Sequence, residues 1–566
     1  MRSMKMINMK QVYLPLLLIL ALVISSSYVF GGRSDTPSQQ QPTSTTYEQL
    51  LAKESASSQM ECVYVRKNDD LSSVLSGADK RYIIQFDHDL KNTVITIGKN
   101  SVLDFQGGHI NNGTVCGNNT TIKAEPVDIF GTGVTINGSW SIVEAYPEWF
   151  AGNIQIALNN FPCVKLIKPQ YQIDYSLLLN GGNSLISDIK SKVTINSKGK
   201  YGIWLGYNSY ISDIYFIFSP GTNGIRIDGD YLAKSWLKSK FGNKGDYSAR
   251  GVHKLMMNNC TLYKHFESKD TSVGMHLSAH GGGGNYSTTD GTRIGNYYSN
   301  GITGVNFDNL KFDGAWTRNI EIENTTEKGA SVDGWITDVS FSNCLFNYAN
   351  KDNIYIHQDK VLHNQIPPTV ISFVNCTVQH NPKQDYYCRI KDGRAIKFIN
   401  NETWDWDWVA KNPIPPFYID PRNSCKIVIN IGQQFERSKW VDIPDWTDRK
   451  DGYSSSKIKY GKCPYKITLN DHVGYEARLE DFLVGNKNSN INFVLLPEGR
   501  YTVSASVLST LGIPCRKVSH AYLSKVSDLD GVVELKVEGV IDNKKRSLIC
   551  YITSKEGDSI QREWME

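Results

Sequence analysis

Six short strand-like segments of this chain place acids, bases, cations and aromatic groups at alternate positions among apolar residues. In chain order these positions are Trp204; Arg226 and Asp228; His276 and Ser278; Glu321 and Glu323; Tyr355 and His357; and Arg389 and Lys391. Successive side chains of a β-strand point to opposite faces, so the apolar neighbours predict that all these groups point outward. Strands stacked about 4.8 Å apart, with i and i+2 side chains about 6.6 Å apart, would bring the groups within reach of one sugar ring.

Glu321 and Glu323 are the pair that could hydrolyse a glycosidic bond. An inverting glycosidase needs one carboxylic acid and one carboxylate, far enough apart to hold a water molecule. Two outward residues of one strand have about that separation, and their repulsion would raise the pKa of one of them. A pair across rungs, using Asp228 or Asp359, is the competing choice. Inverting hydrolysis with Glu321 and Glu323 as acid and base is the leading interpretation of the sequence.

The same face could instead carry out the β-elimination of a polysaccharide lyase. A lyase needs a base for the proton beside a uronate carboxylate, and cations that neutralise this carboxylate. His357, Tyr355, Arg389 and Lys391 are the candidates for these roles. A third interpretation is a non-catalytic surface or adhesion protein, whose charged face is only solvated. No Asp cluster of the kind that holds calcium is visible and the histidines lack zinc-ligand spacing, so we expect no metal or other cofactor.

The remaining candidates are predicted to bind a polysaccharide substrate. On the predicted face they are Trp204, Arg226, Asp228, His276, Arg389 and Lys391. Outside it, Trp404 and Trp406 belong to a Trp-Asp-Trp-Asp-Trp run. This run is either a platform on which sugars stack or an aromatic seal over the end of the fold.

A recurring sequence motif indicates how these segments are positioned. An apolar-x-apolar strand ending on Asn or Asp precedes, by 11 to 16 residues, a strand of the form Ile-x-Ile. The Asn/Asp anchors lie 25 to 50 residues apart, at Asp188, Asp213, Asn259, Asn309, Asn343, Asn375 and Asn400. The period of two with no intervening helical pattern predicts a solenoid of parallel strands, a right-handed parallel β-helix. Stacked anchors would form a hydrogen-bonded ladder between turns.

The N-terminal part of the chain resembles a known superfamily. The segments that carry the resemblance are Ser101–Gly108, Asn112–Val115, Gly117–Thr120 and Tyr146–Phe150. They are similar to the pectate-lyase-like (pectin lyase fold) β-helix proteins of Bacteroidetes and their phages. The resemblance covers roughly residues 80–400 and implies the β-helix fold with a short capping helix near residues 151–160. The Asp-rich segment usual before that helix is lacking here, and the superfamily includes lyases, hydrolases and proteins without known activity. Arg389-Ile390-Lys391 also matches the strand with which polygalacturonase-type hydrolases of this fold bind a substrate carboxylate, although their paired-Asp motifs are not visible.

The sequence divides into five regions. Residues 1–30 are predicted to be a signal peptide or an N-terminal anchor, with residues 12–30 as a possible membrane tether. Residues 31–60 are a linker, 61–150 an N-terminal β-rich cap with the first rungs, 151–420 the β-helix and 421–566 a C-terminal β-rich, sandwich-like domain. This last domain could bind carbohydrate, trimerise or pack on the coil. The expected location is periplasmic, cell-surface or secreted.

Charge and cysteine content narrow the classes of function. The chain has 566 residues and a net charge of +4 with no basic block, so nucleic acid is not an expected partner. Its 11 cysteines include no Cys-x-x-Cys pair. Cys260, Cys344 and Cys376 each follow a ladder anchor, which predicts small buried side chains rather than disulfides or a zinc site.

Overall fold

A computed structural model describes the fold of most of the chain. The described residues are 60–131, 133–179, 181–228, 252–265, 272–281, 301–326, 334–359, 367–379, 384–403, 416–420, 424–431, 441–442, 465–469, 473–476, 499–527 and 532–553. The predicted signal segment, nearly all of the linker, and both Trp404 and Trp406 lie outside these residues. None of the described helices has both the length and the apolar character that crossing a membrane requires.

From Cys163 onward the chain forms a parallel β-helix, in which successive turns add strands to three parallel sheets. The first sheet contains Cys163–Leu166, Ser184–Ser187, Tyr210–Ser212, Met256–Asn258, Val305–Asp308, Val339–Ser342, Thr369–Val374, Gly393–Thr403, Ser424–Cys425, Ile427–Ile431 and Tyr465–Leu469. The second sheet contains Gln170–Ile173, Lys192–Ile195, Tyr215–Phe218, Thr261–Lys264, Lys311–Gly314, Leu345–Asn347 and Thr377–Gln379. The third sheet contains Leu177–Leu179, Tyr201–Leu205, Asn223–Asp228, Val273–Gly281, Arg318–Thr326, Asp352–Asp359, Tyr386–Ile390, Phe417–Ile419 and Val441–Asp442. The predicted fold class is confirmed.

The predicted anchors lie at the bend between the first and second sheets, but the prediction for Asp188 is wrong, because Lys190 is the left-handed residue of that bend and Asp188 pairs with Lys165 Nζ (2.6 Å). Asp213, Asn259, Asn309, Asn343, Asn375 and Asn400 all have left-handed backbone conformations, with φ between 48° and 61°. Asn and Asp tolerate this conformation better than other residues with a β-carbon. The side-chain amide of Asn309 donates to Asn259 Oδ1 (3.0 Å), and that of Asn400 donates to Asn375 Oδ1 (2.9 Å). The predicted ladder between turns is therefore present.

The coil is filled by stacked apolar side chains. Phe341, Phe373 and Phe398 stack with ring centroids 5.0 Å apart on successive rungs. Cys260, Cys344 and Cys376 are buried beside the ladder, and none of them is in a disulfide. This confirms the prediction for these cysteines. The coil is held by burial of apolar surface, which stabilises a fold by about 25 cal/mol per Å².

The N-terminal region also consists mainly of parallel strands. They are Glu61–Val65, Lys80–Ile84, His88–Asp89, Val94–Thr96, Val102–Phe105, Ile110–Asn111, Gly113–Lys123 and Val134–Trp140, with a helix at Leu71–Val74. A 3-10 helix at Pro147–Phe150 leads into the helix Ile154–Asn160, whose first turn is capped by the Asn153 side chain. Its Ile154, Ala157 and Leu158 side chains are buried, and it contacts the first strands of the first and third sheets. The predicted capping helix thus covers the first rung of the main coil and removes its exposed edge.

The parallel ladder continues beyond residue 421, where the sequence predicted that the coil ends. Ile427–Ile431 pairs in parallel with Gly393–Thr403, and Tyr465–Leu469 pairs in parallel with Ile427–Ile431. Ile427 and Ile429 are buried like the inward residues of earlier rungs. Parallel pairing between rungs therefore extends past residue 421, and the domain boundary there stays a prediction. Val473–Glu476 then pairs antiparallel to Tyr465–Leu469.

The described C-terminal residues form one antiparallel sheet. Its strands are Gly499–Thr502, Val518–Ser527, Val532–Ile541 and Lys544–Thr553, in that order. Leu523, Val537 and Leu548 are buried on one face of the sheet. The helix Ala505–Thr510 contributes Val507 and Leu508 to the same core, so it supplies the covering layer. Among the described residues, a helix therefore takes the place that a second sheet has in a sandwich.

Candidate functional site

The third sheet brings the predicted residues into two outward columns. Successive rungs of the first column carry Trp204, Arg226, His276, Glu321, Tyr355, Arg389 and Tyr418. Successive rungs of the second column carry Asp228, Ser278, Glu323 and His357. Lys391 extends the second column, because its backbone N–H donates to the carbonyl of Ile356 (2.9 Å). Asp228 has its place here by backbone register alone, since its side chain is outside the described part.

These columns are not an ordinary solvated surface. Between them, the apolar residues of the same strands point inward and are fully buried, as Ile320 and Ile322 are. Yet the outward side chains are also covered: Arg226, His276 and His357 are only 7 to 9 % exposed. Buried charged groups must be paired or hydrogen-bonded, so their partners define what each group can do.

The first of two Glu–His pairs joins Glu323 to His276. His276 Nε2 lies 3.0 Å from Glu323 Oε2, and Ser278 Oγ lies 3.5 Å from the same oxygen. His276 Nδ1 lies 2.7 Å from Arg226 Nη1 and 2.8 Å from the Tyr201 hydroxyl. A guanidinium can only donate, so Nδ1 must accept and the proton is on Nε2, donated to Glu323. His276 is therefore neutral and bonded at both ring nitrogens.

The second pair joins Glu321 to His357. His357 Nε2 lies 3.1 Å from Glu321 Oε1, and Arg318 Nη1 donates to the same oxygen (3.2 Å). The His357 ring stacks on Tyr355 with centroids 4.2 Å apart and an interplanar angle of 18°. Among the described residues, His357 Nδ1 has no hydrogen-bond partner. A carboxylate thus fixes one nitrogen of this ring and leaves the other available.

Both carboxyl groups are ionised across the neutral range. Burial alone would raise the pKa of Glu321, but the hydrogen bond from His357, the charge that His276 carries once it is protonated in acid, and the charge of Arg318 lower it to about 2. Burial is likewise outweighed at Glu323, whose pKa is lowered to about 2 by the hydrogen bond from His276 and the charge of Arg226. Burial and the charge of Arg226 lower the pKa of His276, in agreement with its neutral form. Neither glutamate has the raised pKa of a general acid.

A buried carboxylate links two arginines beside the second pair. The Asp352 side chain is fully buried, and Arg389 Nε lies 3.2 and 3.1 Å from its two oxygens. Arg318 Nε forms a longer ion pair with it, at 3.7 Å. Arg389 Nη2 also donates to Asp385 (3.0 Å). Asp352 therefore fixes both guanidinium groups near Tyr355 and His357.

Tyrosine rings complete the surroundings of these cations. The Arg389 guanidinium lies 4.7 Å from the Tyr386 ring centroid and 5.3 Å from that of Tyr418. Arg318 lies 4.3 Å from the Tyr355 centroid, and Lys391 Nζ lies 5.9 Å from it. Burial raises the pKa of the Tyr355 phenol to about 12, so its hydroxyl stays protonated. Lys391 forms no ion pair with any residue that the structure describes.

The sequence pattern missed Tyr201, Arg318 and Asp352. Each of the three lies two residues before the first residue of an apolar-x-apolar triplet. At this bend the inward and outward side chains do not alternate, because two consecutive residues point inward. Asn319 and Ile320 are both fully buried, and the Asn319 amide donates to Asn353 Oδ1 (2.6 Å). The recurring Asn before these triplets was the available signal for this second, internal ladder.

Comparisons with known proteins leave the function to be argued from the site. No family model matches the chain, and no curated protein matches it. Among solved structures, one similar chain is a mutant tailspike protein of E. coli bacteriophage HK620, in complex with a hexasaccharide. It is 10% identical, the alignment covers 89% of this chain and 81% of that chain, and the TM-score is 0.19. Within the described residues no group of three or more acidic, His or Cys side chains could hold a metal ion.

Proposed function

We propose that the protein binds an acidic polysaccharide on the outer face of the third sheet and cleaves it by β-elimination, with His357 as the base. The observation that carries this proposal is the Glu321–His357 pair. The carboxylate accepts from Nε2, so Nδ1, the nitrogen without a partner among the described residues, is the one that can present a lone pair to a substrate. An imidazole held in one tautomer by a carboxylate is the arrangement of a general base.

The elimination can be written with the residues of the site. His357 Nδ1 takes the proton from the ring carbon that bears the uronate carboxylate. The electron pair left on that carbon forms a double bond to the neighbouring carbon, whose bond to the glycosidic oxygen breaks. The Tyr355 ring stacks on His357, and its hydroxyl is protonated before the reaction. This hydroxyl gives its proton to the leaving oxygen as the glycosidic bond breaks. Solvent then returns a proton to Tyr355 and removes one from His357.

Cations on the same face would hold the substrate carboxylate. Lys391 is next to His357 in the second column and forms no ion pair with a described carboxylate. Arg389 is anchored through Nε and Nη2 by Asp352 and Asp385, and Nη1 has no partner among the described residues. Neutralising the uronate makes the neighbouring proton more acidic, because negative charge develops there as the proton leaves.

Inverting hydrolysis by Glu321 and Glu323 is the second candidate. Their outward positions on one strand favour it. It also requires that one carboxyl group be protonated when the substrate binds. Because the pKa of each lies at about 2, neither would hold a proton at neutral pH, and elimination is the better-supported reaction. In the proposal Glu321 orients His357, while Glu323 supports the face through His276.

Export of the protein agrees with a polysaccharide substrate outside the cell. The apolar run from Val12 to Ile24 follows the basic residues Arg2, Lys5 and Lys10, which is the pattern of a secretory signal. We propose that the mature protein is periplasmic, attached to the surface or secreted.

Incubation with a panel of uronate-containing polysaccharides tests the reaction. Elimination creates a chain end with a conjugated double bond, which absorbs ultraviolet light, together with a new reducing end. Hydrolysis creates the reducing end without the absorbance. Equal yields of both signals support the proposal, and reducing ends without absorbance would establish the second candidate instead. Binding without either signal would mean that the face recognises glycans but does not cleave them.

A further inference from the structure

Basic side chains converge at one end of the C-terminal sheet. They are Arg516, Lys517, Lys544, Lys545 and Arg546. All except Arg546 are classed as exposed, and those four exposed residues form no ion pair within the described part of the chain. Between residues 499 and 553 the sequence has eight Lys or Arg and five Asp or Glu, so this segment accounts for +3 of the chain's net charge of +4.

Backbone hydrogen bonds hold the two basic segments together. Asp542 and Asn543 form the turn between the last two strands, with φ of 50° and 64°. Asp542 Oδ1 accepts from the backbone N–H groups of Arg516 and Lys517, both at 2.8 Å. The Asp542 N–H donates to the Lys517 carbonyl (2.8 Å). The Asp542 carboxylate is thus bound to backbone and also lies in the field of Arg516 and Arg546. Lys517, Lys544 and Lys545 are the cations of this end that form no ion pair with a described carboxylate.

The cationic end continues onto a polar face of the sheet. His520, Val540 and Lys545 are cross-strand neighbours on the face opposite the buried core. Two residues further along this face, Tyr522 has the Arg500 guanidinium 3.9 Å from its ring centroid. A cationic edge followed by a tyrosine on the same face suits a polymer that has both negative groups and apolar ring surfaces.

We infer that this basic end of the C-terminal sheet binds an anionic polysaccharide, and that it retains the protein on the polymer independently of cleavage. The inference takes the polymer class from the proposed function of the β-helix, but it concerns separate residues. Nucleic acid fits this surface less well than an anionic polysaccharide, because binding to its dense phosphate backbone requires many cations. The chain outside residues 499–553 has a net charge of only +1. Each exposed cation would contribute weakly, so affinity depends on several contacts with one chain and falls with salt.

Binding of the full-length protein to polygalacturonate tests the inference, with its fully methyl-esterified form as the uncharged counterpart. The double substitution Lys544→Gln/Lys545→Gln should weaken binding roughly tenfold, because it removes two exposed charges. The matched control Lys67→Gln/Lys99→Gln removes two exposed charges elsewhere and should leave binding unchanged. All proteins would also contain His357→Gln, so that the polymer stays intact during the measurement.

The outcomes separate this inference from the proposed function. The protein without substitutions could fail to cleave any of the uronate-containing polysaccharides, while charge-dependent binding is weakened only in the Lys544/Lys545 variant. This result would reject the proposed elimination and retain the binding surface. Equal binding by both double variants, or equal affinity for the methyl-esterified polymer, would overturn the inference. Tighter binding to duplex DNA or to anionic phosphatidylglycerol vesicles than to polygalacturonate would also overturn it, and would assign the surface to that other partner.

Discussion

The two Glu–His pairs of the third sheet are built from the same residue types on adjacent strands, yet they differ in one respect. His276 is bonded at both ring nitrogens, by Glu323 on one side and by Arg226 and Tyr201 on the other. His357 is bonded by Glu321 at one nitrogen, and the other has no partner in the described structure. The first ring cannot exchange its proton without breaking a buried network, whereas the second has a nitrogen available for proton transfer.

Position in a column therefore does not by itself assign a role to a histidine of this sheet. Both histidines point outward, and both are about equally covered, at 9 % exposure. What separates them is the third group: an arginine facing Nδ1 of His276, and a tyrosine ring stacked on His357. In the Glu323–His276 pair, Arg226 occupies Nδ1 of the histidine, which suits a structural role. In the Glu321–His357 pair, Nδ1 has no described partner, which suits a role in proton transfer.

Replacing each histidine by glutamine tests this division and should give the largest effect. His357→Gln should lower the rate of elimination by about 10²- to 10⁴-fold, the usual contribution of a general base. Its melting temperature should fall less than that of His276→Gln, because Glu321 keeps its hydrogen bond from Arg318. His276→Gln should lower the free energy of unfolding by about 1–3 kcal/mol, because buried groups of Arg226 and Glu323 lose their partner.

The measurements are initial rates from ultraviolet absorbance and urea unfolding of both variants. If His276→Gln lowered the rate as strongly as His357→Gln while its fold stayed intact, the two pairs would not differ in role. The comparison would then have to be abandoned.

The glutamates provide the next test. Glu321→Gln should lower the rate roughly a hundredfold, because the amide no longer fixes the His357 tautomer as a carboxylate does. Glu323→Gln should leave most of the activity, since Glu323 contacts His276 rather than the base. An inverting hydrolase that used both groups would lose all turnover with either substitution. Rates of the two variants on the same polymer, each compared with its melting temperature, decide between these outcomes.

The pairing of these residues across rungs was predictable because a strand has a period of exactly two residues and a coil repeats its path. The sequence motif that ends on Asn or Asp indicated the register between strands of successive turns. Glu321, Tyr355 and Arg389 could therefore be placed in one column from sequence alone. The ladder at Asn259 and Asn309 followed from the same reasoning, since both adopt the left-handed conformation that the bend requires and their side chains are hydrogen-bonded.

The hydrogen-bonded state of each group was not predictable in this way. The sequence suggested that repulsion would raise the pKa of Glu321 or Glu323, but both have cationic or donor neighbours that lower it to about 2. Arg318 and Asp352 supply part of this environment, and they lie at a bend where strand alternation fails. Local periodicity can place an outward residue, but the donors around it depend on three-dimensional contacts that no single strand encodes.

The pH dependence of the free energy of unfolding should show a smaller difference between the histidines and the glutamates. His276 is neutral in the fold with a lowered pKa, so its contribution to stability is complete above the ordinary value of 6.5 and is lost as the pH falls below it. The glutamates have pKa values lowered from 4.5 to about 2, so their contribution is complete above 4.5 and is lost as the pH falls towards 2. Urea unfolding at a series of pH values should therefore show two stages of lost stability. His276→Gln should weaken the first stage without removing it, because burial also lowers the pKa of His88 and of His253. A first stage of unchanged size in this variant would contradict the neutral assignment of His276.

Removing single tyrosine hydroxyls makes the finest distinction between the two pairs. Tyr201→Phe deletes the hydroxyl that contacts His276 Nδ1 and accepts from Arg226 Nη1, and it should lower the free energy of unfolding by about 1–3 kcal/mol without changing the rate. Tyr355→Phe keeps the ring stacked on His357, so stability should hold, but the rate should fall roughly a hundredfold, the low end of a general acid's contribution, because the proton donor to the leaving oxygen is lost. A rate loss confined to Tyr355→Phe and a stability loss confined to Tyr201→Phe would locate catalysis at the second pair. The reverse pattern would place the reacting groups around His276, and the open nitrogen of His357 would then have no part in the chemistry.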